Sequence, residues 1–168
     1  MRRRKEKKKN SNNIINGVII GVIVILVGAL AIMVSSNTKN VNNEKRIVEI
    51  SYQEYEEKIK SDDYVILLFT SPTCSHCQDY KPFVNLVANE YDLTVYDIDV
   101  SSRDLTDEQY NNLHEYSVLK DQYNSSGIPV IPTPTTVIVR NGQEVASTMG
   151  DIGYDGFVKF LKENKVIK

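Results

Sequence analysis

From Ile14 to Val34 every side chain but Asn16 is apolar, and from Val18 onward none is polar. No other feature constrains the chain so strongly, because twenty-one helical residues reach roughly 30 Å, the thickness of a bilayer's hydrocarbon core. Ahead of the run stand Arg2, Arg3, Arg4, Lys5, Lys7, Lys8 and Lys9 against a single acid, Glu6, so the formal net charge of −2 divides into +6 up to Lys9 and −8 beyond it. After the run, Lys39, Lys45 and Arg46 are sparse. The positive-inside rule then predicts a single-pass anchor in the cell membrane, with the N-terminus cytoplasmic and the C-terminal part extracytoplasmic. A cleavable signal peptide is the alternative, since Ala29-Leu30-Ala31 makes a small-residue cleavage site behind a basic head. Both readings export the rest of the chain.

The expected organisation is a basic cytoplasmic head at 1–13, a transmembrane anchor at 14–34, a polar linker at 35–46 and a folded domain at 47–168. The linker, SSNTKNVNNEKR, is nearly free of apolar side chains and reaches roughly 20 Å as a coil. The acidic body offers no electrostatic footprint for nucleic acid, so no nucleic-acid partner is expected.

Within 47–168 the pattern alternates strand and helix. Ile47 to Ile50 reads as a short strand, and Ser51-x-x-Glu54 is a capping box opening a helix whose inner stripe is Tyr52, Tyr55 and Ile59. Tyr64 to Thr70 is a continuous apolar run of strand length, as a strand covered on both faces requires. A helix is predicted from Cys74 to about Glu90, where Phe83, Val84, Leu86, Val87 and Tyr91 recur with helical period and Pro82 should kink it. A strand at Leu93 to Asp99 follows, then a helix capped by Thr106 and Gln109 and running to Tyr116, with Leu105 stapled onto Tyr110. Asn141-Gly142 is a hairpin signal between strands Thr135 to Arg140 and Gln143 to Met149. Tyr154 to Glu163 closes the chain as a helix with Phe157, Phe160 and Leu161 inward. This order predicts an α/β fold with a mixed sheet flanked by helices, its chemistry at a strand's carboxyl end.

The two cysteines of the chain lie in Cys74-Ser75-His76-Cys77, directly after the central apolar strand. Thiol–disulfide exchange needs a thiolate nucleophile and a second thiol to release the mixed disulfide, and two cysteines three apart at a helix start supply both. Cys74, at the helix N-terminus where unpaired amides and the dipole favour negative charge, is the expected nucleophile. Cys77, one turn inward, is the expected resolving thiol. An imidazole at His76 would further stabilise the Cys74 thiolate, and stabilising the reduced form makes the disulfide a stronger oxidant. The competing readings are a structural bridge closing a very small loop, half of a zinc site, and an exposed His76 without a role. Further zinc ligands are lacking, as the only histidines are His76, badly placed between the sulfurs, and His114. No metal and no cofactor is therefore expected.

Over Ile47 to Lys168 the sequence resembles the thioredoxin superfamily. The C-x-x-C between strand and helix, Pro82 five residues after Cys77, Thr133-Pro134-Thr135, Asn141-Gly142, Gly150 and Leu161 all fall at the family's spacings. The resemblance implies a thioredoxin fold preceded by one transmembrane helix. It also implies a cis-proline at Pro134 that pairs with an extended substrate, with Thr133 against the active-site sulfurs. Thr73 occupies the position of the family's tryptophan, which alters the apolar shelf for substrates. Leu68 stands where the family buries the acid that accepts the resolving thiol's proton, so proton transfer must use another group or water. The segment Ser101 to Ser126 is longer than in a minimal member and either shapes the substrate groove or decorates it.

C-x-H-C is similar to the motif of disulfide oxidases and isomerases. The expectation is a membrane-tethered thiol–disulfide oxidoreductase acting on cysteine-containing exported proteins, with a membrane redox partner, leaning toward oxidation or isomerisation. A membrane-anchored reductase fed by a membrane electron donor, and a non-catalytic interaction module, are the alternatives. The richness in Lys, Asn and Ile suits the bacteriocin-associated thioredoxin-like proteins of Gram-positive bacteria as the nearest group.

Overall fold

A computed structural model describes residues 44–168; the expected head, anchor and most of the linker lie outside the described residues. Among the described residues no helix is long and apolar enough to cross a membrane. The elements are β1 (Ile47–Glu49), α1 (Tyr52–Lys58), β2 (Val65–Thr70), α2 (Ser75–Glu90), β3 (Val95–Asp99), α3 (Asp107–His114), β4 (Thr135–Arg140), β5 (Gln143–Met149) and α4 (Gly153–Glu163).

The strands form one sheet in the order β1-β3-β2-β4-β5. β1, β3 and β2 run parallel, β4 pairs antiparallel with β2, and β5 antiparallel with β4, so the sheet is mixed as expected. Successive residues of β2 point to opposite faces. Leu67 and Phe69 pack with Tyr52 and Tyr55 of α1 and Leu113 of α3. Ile66 and Leu68 pack with Tyr80 and Val84 of α2 and Phe157 and Leu161 of α4. Helices therefore cover both faces, and every residue of β2 is buried.

Local chemistry explains most boundaries. The Ser51 side chain accepts the Glu54 N–H while Glu54 accepts the Ser51 N–H, and Thr106 and Gln109 repeat this reciprocal cap at α3. Asn141 and Gly142 both have positive φ, 51° and 72°, which the tight turn between β4 and β5 demands. β3 starts at Val95 rather than Leu93, and α4 starts at Gly153, with Phe157 and Leu161 buried and Phe160 only half-buried.

Two details of the helices differ from the apolar pattern along the chain. The inner stripe of α2 is Cys77, Tyr80, Val84, Val87 and Ala88, whereas Phe83 and Leu86 are 42% and 48% exposed. Residues 80, 84, 87 and 88 are one helical face, and 83 and 86 lie beside it. The helix α3 stops at His114 rather than Tyr116. His114 is buried, with Nε2 2.7 Å from the Gln122 carbonyl oxygen and its ring edge-on to Tyr123, which draws the chain out of the helix.

The segment after α3 is pinned at several points. Ile131 N–H donates to the Tyr110 hydroxyl at 2.9 Å, Val130 N–H to the Gln122 carbonyl at 2.9 Å, and Leu119 and Ile131 are buried. Its tip presents Tyr123 and Ile128 to solvent, then the chain passes through Pro132 into β4.

Candidate active site

The strand β2 delivers the chain to Ser71-Pro72-Thr73 at the sheet's carboxyl edge, and the helix α2 begins with Cys74 as its N-cap. Cys74 and Cys77 are joined as a disulfide, their Cα atoms 5.3 Å apart. The two sulfurs are differently placed. Cys74 is partly exposed, whereas Cys77 is 1% exposed against the sheet, so an incoming sulfur meets Cys74 first. The two sulfurs therefore differ in access, Cys74 being the more open of the pair.

Cys74 Sγ accepts the Cys77 N–H at 3.1 Å, which places one of the helix's unpaired amides on this sulfur, an arrangement that favours negative charge there. Across the site Cys74 Sγ lies 3.3 Å from the Thr133 carbonyl oxygen. In the disulfide this is a contact without a proton; in the reduced enzyme a Cys74 thiol can donate to that oxygen. Thr133 thus reaches the sulfur through its backbone, and the Thr133–Pro134 peptide is cis, as the resemblance implies. The loop is fixed on both sides, by Thr135 Oγ1 donating to the Pro132 carbonyl at 2.6 Å and by Gly150 N–H donating to the Pro134 carbonyl at 2.8 Å.

Thr73 and His76 are both exposed at the rim. Thr73 Oγ1 is 3.2 Å from Ser71 Oγ, which donates to Ser101 Oγ at 3.1 Å, which donates to Asp99 Oδ1 at 2.6 Å. A run of hydroxyls ending on a carboxylate therefore occupies the shelf beside Cys74. His76 makes no hydrogen bond among the described residues.

Behind the dithiol, Leu68 is fully buried and brings no acid. The registers place Asp97 of β3 on one side of Leu68 and Thr136 of β4 on the other, so the three form a row on the face under α2. Asp97 is 5% exposed, accepts Thr70 Oγ1 at 2.6 Å and pairs with Lys81 Nζ at 2.5 Å. On the other side the Tyr80 hydroxyl, facing Thr136, is buried and neither has a hydrogen-bond partner. Burial drives the Tyr80 phenol well above its ordinary range, so it stays protonated.

Sequence reasoning missed Thr70, Lys81 and Asp97. No local signal marks Asp97, because Asp99 of the same strand is only partly buried and the helices that cover the sheet are what seal Asp97.

The Thioredoxin family model matches residues 46–163, more than half of the chain. Over 126 residues the chain is 25% identical to Bloodstream-specific protein 2 of Trypanosoma brucei brucei. That match takes in 75% of this chain and 22% of the relative, so the chain spans about a fifth of the length of the curated protein it matches.

Proposed function

The chain belongs to the thioredoxin family, and from that premise we propose that it is a thiol–disulfide oxidoreductase of exported proteins, held at the membrane by residues 14–34. The observation that carries the reading is the asymmetric pair: a reachable Cys74 at a helix N-terminus, disulfide-bonded to a sealed Cys77. A structural bridge has no need of one open sulfur beside a substrate-sized loop. Two cysteines three apart at a helix start also give zinc only two ligands, and among the described residues no cluster of three ligating side chains occurs.

In the oxidising direction a substrate thiolate attacks Cys74 Sγ, the Cys74–Cys77 bond breaks, and Cys77 departs with the electron pair. A second substrate thiolate then attacks the substrate sulfur of the mixed disulfide, and Cys74 leaves as a thiolate. Two substrate thiols become a disulfide and the enzyme's disulfide becomes a dithiol. The Cys77 N–H on Cys74 Sγ favours the thiolate leaving group and hence this direction. His76, between the cysteines on the exposed face, supports the same lean. The basic head and apolar run support export, and the Lys, Asn and Ile content suits a Gram-positive, bacteriocin-associated protein.

The reduction potential of the Cys74–Cys77 couple tests the direction. A value above roughly −200 mV supports the oxidase or isomerase reading, and one near thioredoxin's, about −270 mV, supports a reductase fed by a membrane donor. A Cys77→Ala variant traps mixed disulfides through Cys74 in membranes; finding none sinks the exchange role altogether.

A further inference from the structure

Cys77 is sealed from solvent, yet in every turnover its sulfur gains or loses a proton. Cys77 is 1% exposed, which makes a polar side chain of the core the first candidate to carry that proton. Asp97 is the one buried carboxylate among the described residues. A carboxylate taken out of water is costly unless paired, and this one is held twice, by Lys81 and by Thr70. Both partners belong to the elements that carry the dithiol. Lys81 is four residues beyond Cys77 on α2 and so shares its face, and Thr70 ends β2 four residues before Cys74. Asp97 is also the residue in register with Leu68, which places a carboxylate one strand away from an otherwise wholly apolar position under α2.

The outer side of the Asp97–Lys81 pair is open. It borders a cleft of about 550 Å³ between β1 and α2, lined also by Glu49, Gln78 and Asn85. A proton reaching the pair from Cys77 has a way to solvent that Cys77 itself lacks.

We propose that Asp97, held by Lys81 and Thr70, is the group that exchanges the proton of Cys77. The assignment rests on the oxidoreductase reading above. When the reduced enzyme resolves a mixed disulfide, the Asp97 carboxylate takes the Cys77 proton. The Cys77 sulfur then bonds to Cys74 Sγ, the bond between Cys74 and the substrate sulfur breaks, and the substrate leaves as a thiolate. The substrate sulfur is reduced, the two enzyme sulfurs are oxidised to the disulfide, and the proton passes from Asp97 to water in the cleft. In the opposite direction the same carboxyl returns the proton to departing Cys77.

Stopped-flow exchange between the reduced full-length chain, in mild detergent, and a disulfide-containing fluorescent peptide separates two steps. Cys77→Ala isolates the first, formation of the mixed disulfide at Cys74. Asp97→Asn is expected to slow the second step, resolution, by roughly 100-fold while changing the first by no more than about twofold. Asp97→Glu, which keeps a carboxylate, is expected to recover about tenfold or more of that loss. Lys81→Met, at a partly exposed position, keeps the carboxylate but removes its cation, so it is expected to shift the pH dependence of resolution, which decides the matter if Asp97→Asn does not fold. Resolution at the wild-type rate in Asp97→Asn, or with the wild-type pH dependence in Lys81→Met, overturns the proposal while leaving the oxidoreductase reading intact. A wild-type chain that forms no mixed disulfide overturns both.

Discussion

In the reduced enzyme Cys74 should ionise more readily than an ordinary cysteine, and the structure sets how much. The perturbation is reduction combined with Cys77→Ala, which removes the competing thiol but keeps the backbone N–H of residue 77. That N–H lies 3.1 Å from Cys74 Sγ. A hydrogen bond to a charged acceptor contributes about 1.5–3 kcal/mol, and the N-terminal end of a helix about 0.3–1 kcal/mol more. Against these stands the Thr133 carbonyl, 3.3 Å away, which favours the protonated sulfur by about 0.5–1.5 kcal/mol as a neutral partner. The balance is about 2 kcal/mol toward the thiolate, roughly a thirtyfold gain in the ratio of thiolate to thiol. The initial rate of iodoacetamide alkylation, followed against pH, reads this directly. Its midpoint should fall clearly below that of a free cysteine. A profile coincident with that of an unstructured cysteine peptide would mean that the N-cap geometry does not activate the sulfur, and the argument for Cys74 as nucleophile would lose its physical basis.

Three further outcomes are expected. Phe157→Ala removes a fully buried ring packed edge-on against Tyr80 and should cost about 3–5 kcal/mol in denaturant unfolding; a loss below about 1 kcal/mol would show that α4 does not close the α2 face. Tyr80→Phe deletes a buried hydroxyl without a hydrogen-bond partner, so stability should be unchanged or higher by about 1 kcal/mol, and a loss of similar size would reveal a bond the geometry does not show. Burial works to raise the Glu144 carboxyl, but hydrogen bonds from Ser117 and Ser147 outweigh it and hold the group below its ordinary 4.5. Its stabilising contribution is therefore complete above that value and is lost as pH falls through the lowered one. Partial exposure discounts the contribution to about 1 kcal/mol, so Glu144→Gln should be less stable than wild type at neutral pH and equal to it in strong acid. A gap that persists at low pH would refute the assignment.

How much of this could be read in advance depended on whether the signal was local. The Asn141-Gly142 turn and the caps at Ser51 and Thr106 involve residues within three of one another, and each formed where the sequence placed it. The dithiol and Pro134 were legible for a different reason, namely ordered spacings along the chain. What stayed hidden was tertiary. Tyr-Asp-Ile-Asp over residues 96–99 looks like a strand with its acids in water, but helices cover both faces of this sheet, so Asp97 and Ile98 are both buried, on opposite sides. Phe83 and Leu86 misled for the converse reason, since apolar residues beside a buried stripe share its period while remaining outside it. The end of α3 was set by the Gln122 carbonyl, eight residues on from His114, which no local rule anticipates.

The residues that lead into β1 are fastened to the far half of α2. Arg46 N–H donates to Asn85 Oδ1 at 2.8 Å, the Asn89 side chain donates to the Glu44 carbonyl at 2.9 Å, and the Arg46 guanidinium pairs with Asp92 at 2.9 Å. The helix between these anchors and Cys74 is roughly 20 Å long. The chain thus enters its domain at the opposite end of α2 from the reactive sulfur. The end of the domain that carries Cys74 is thereby left clear of Glu44 to Arg46 and of the contacts that hold them.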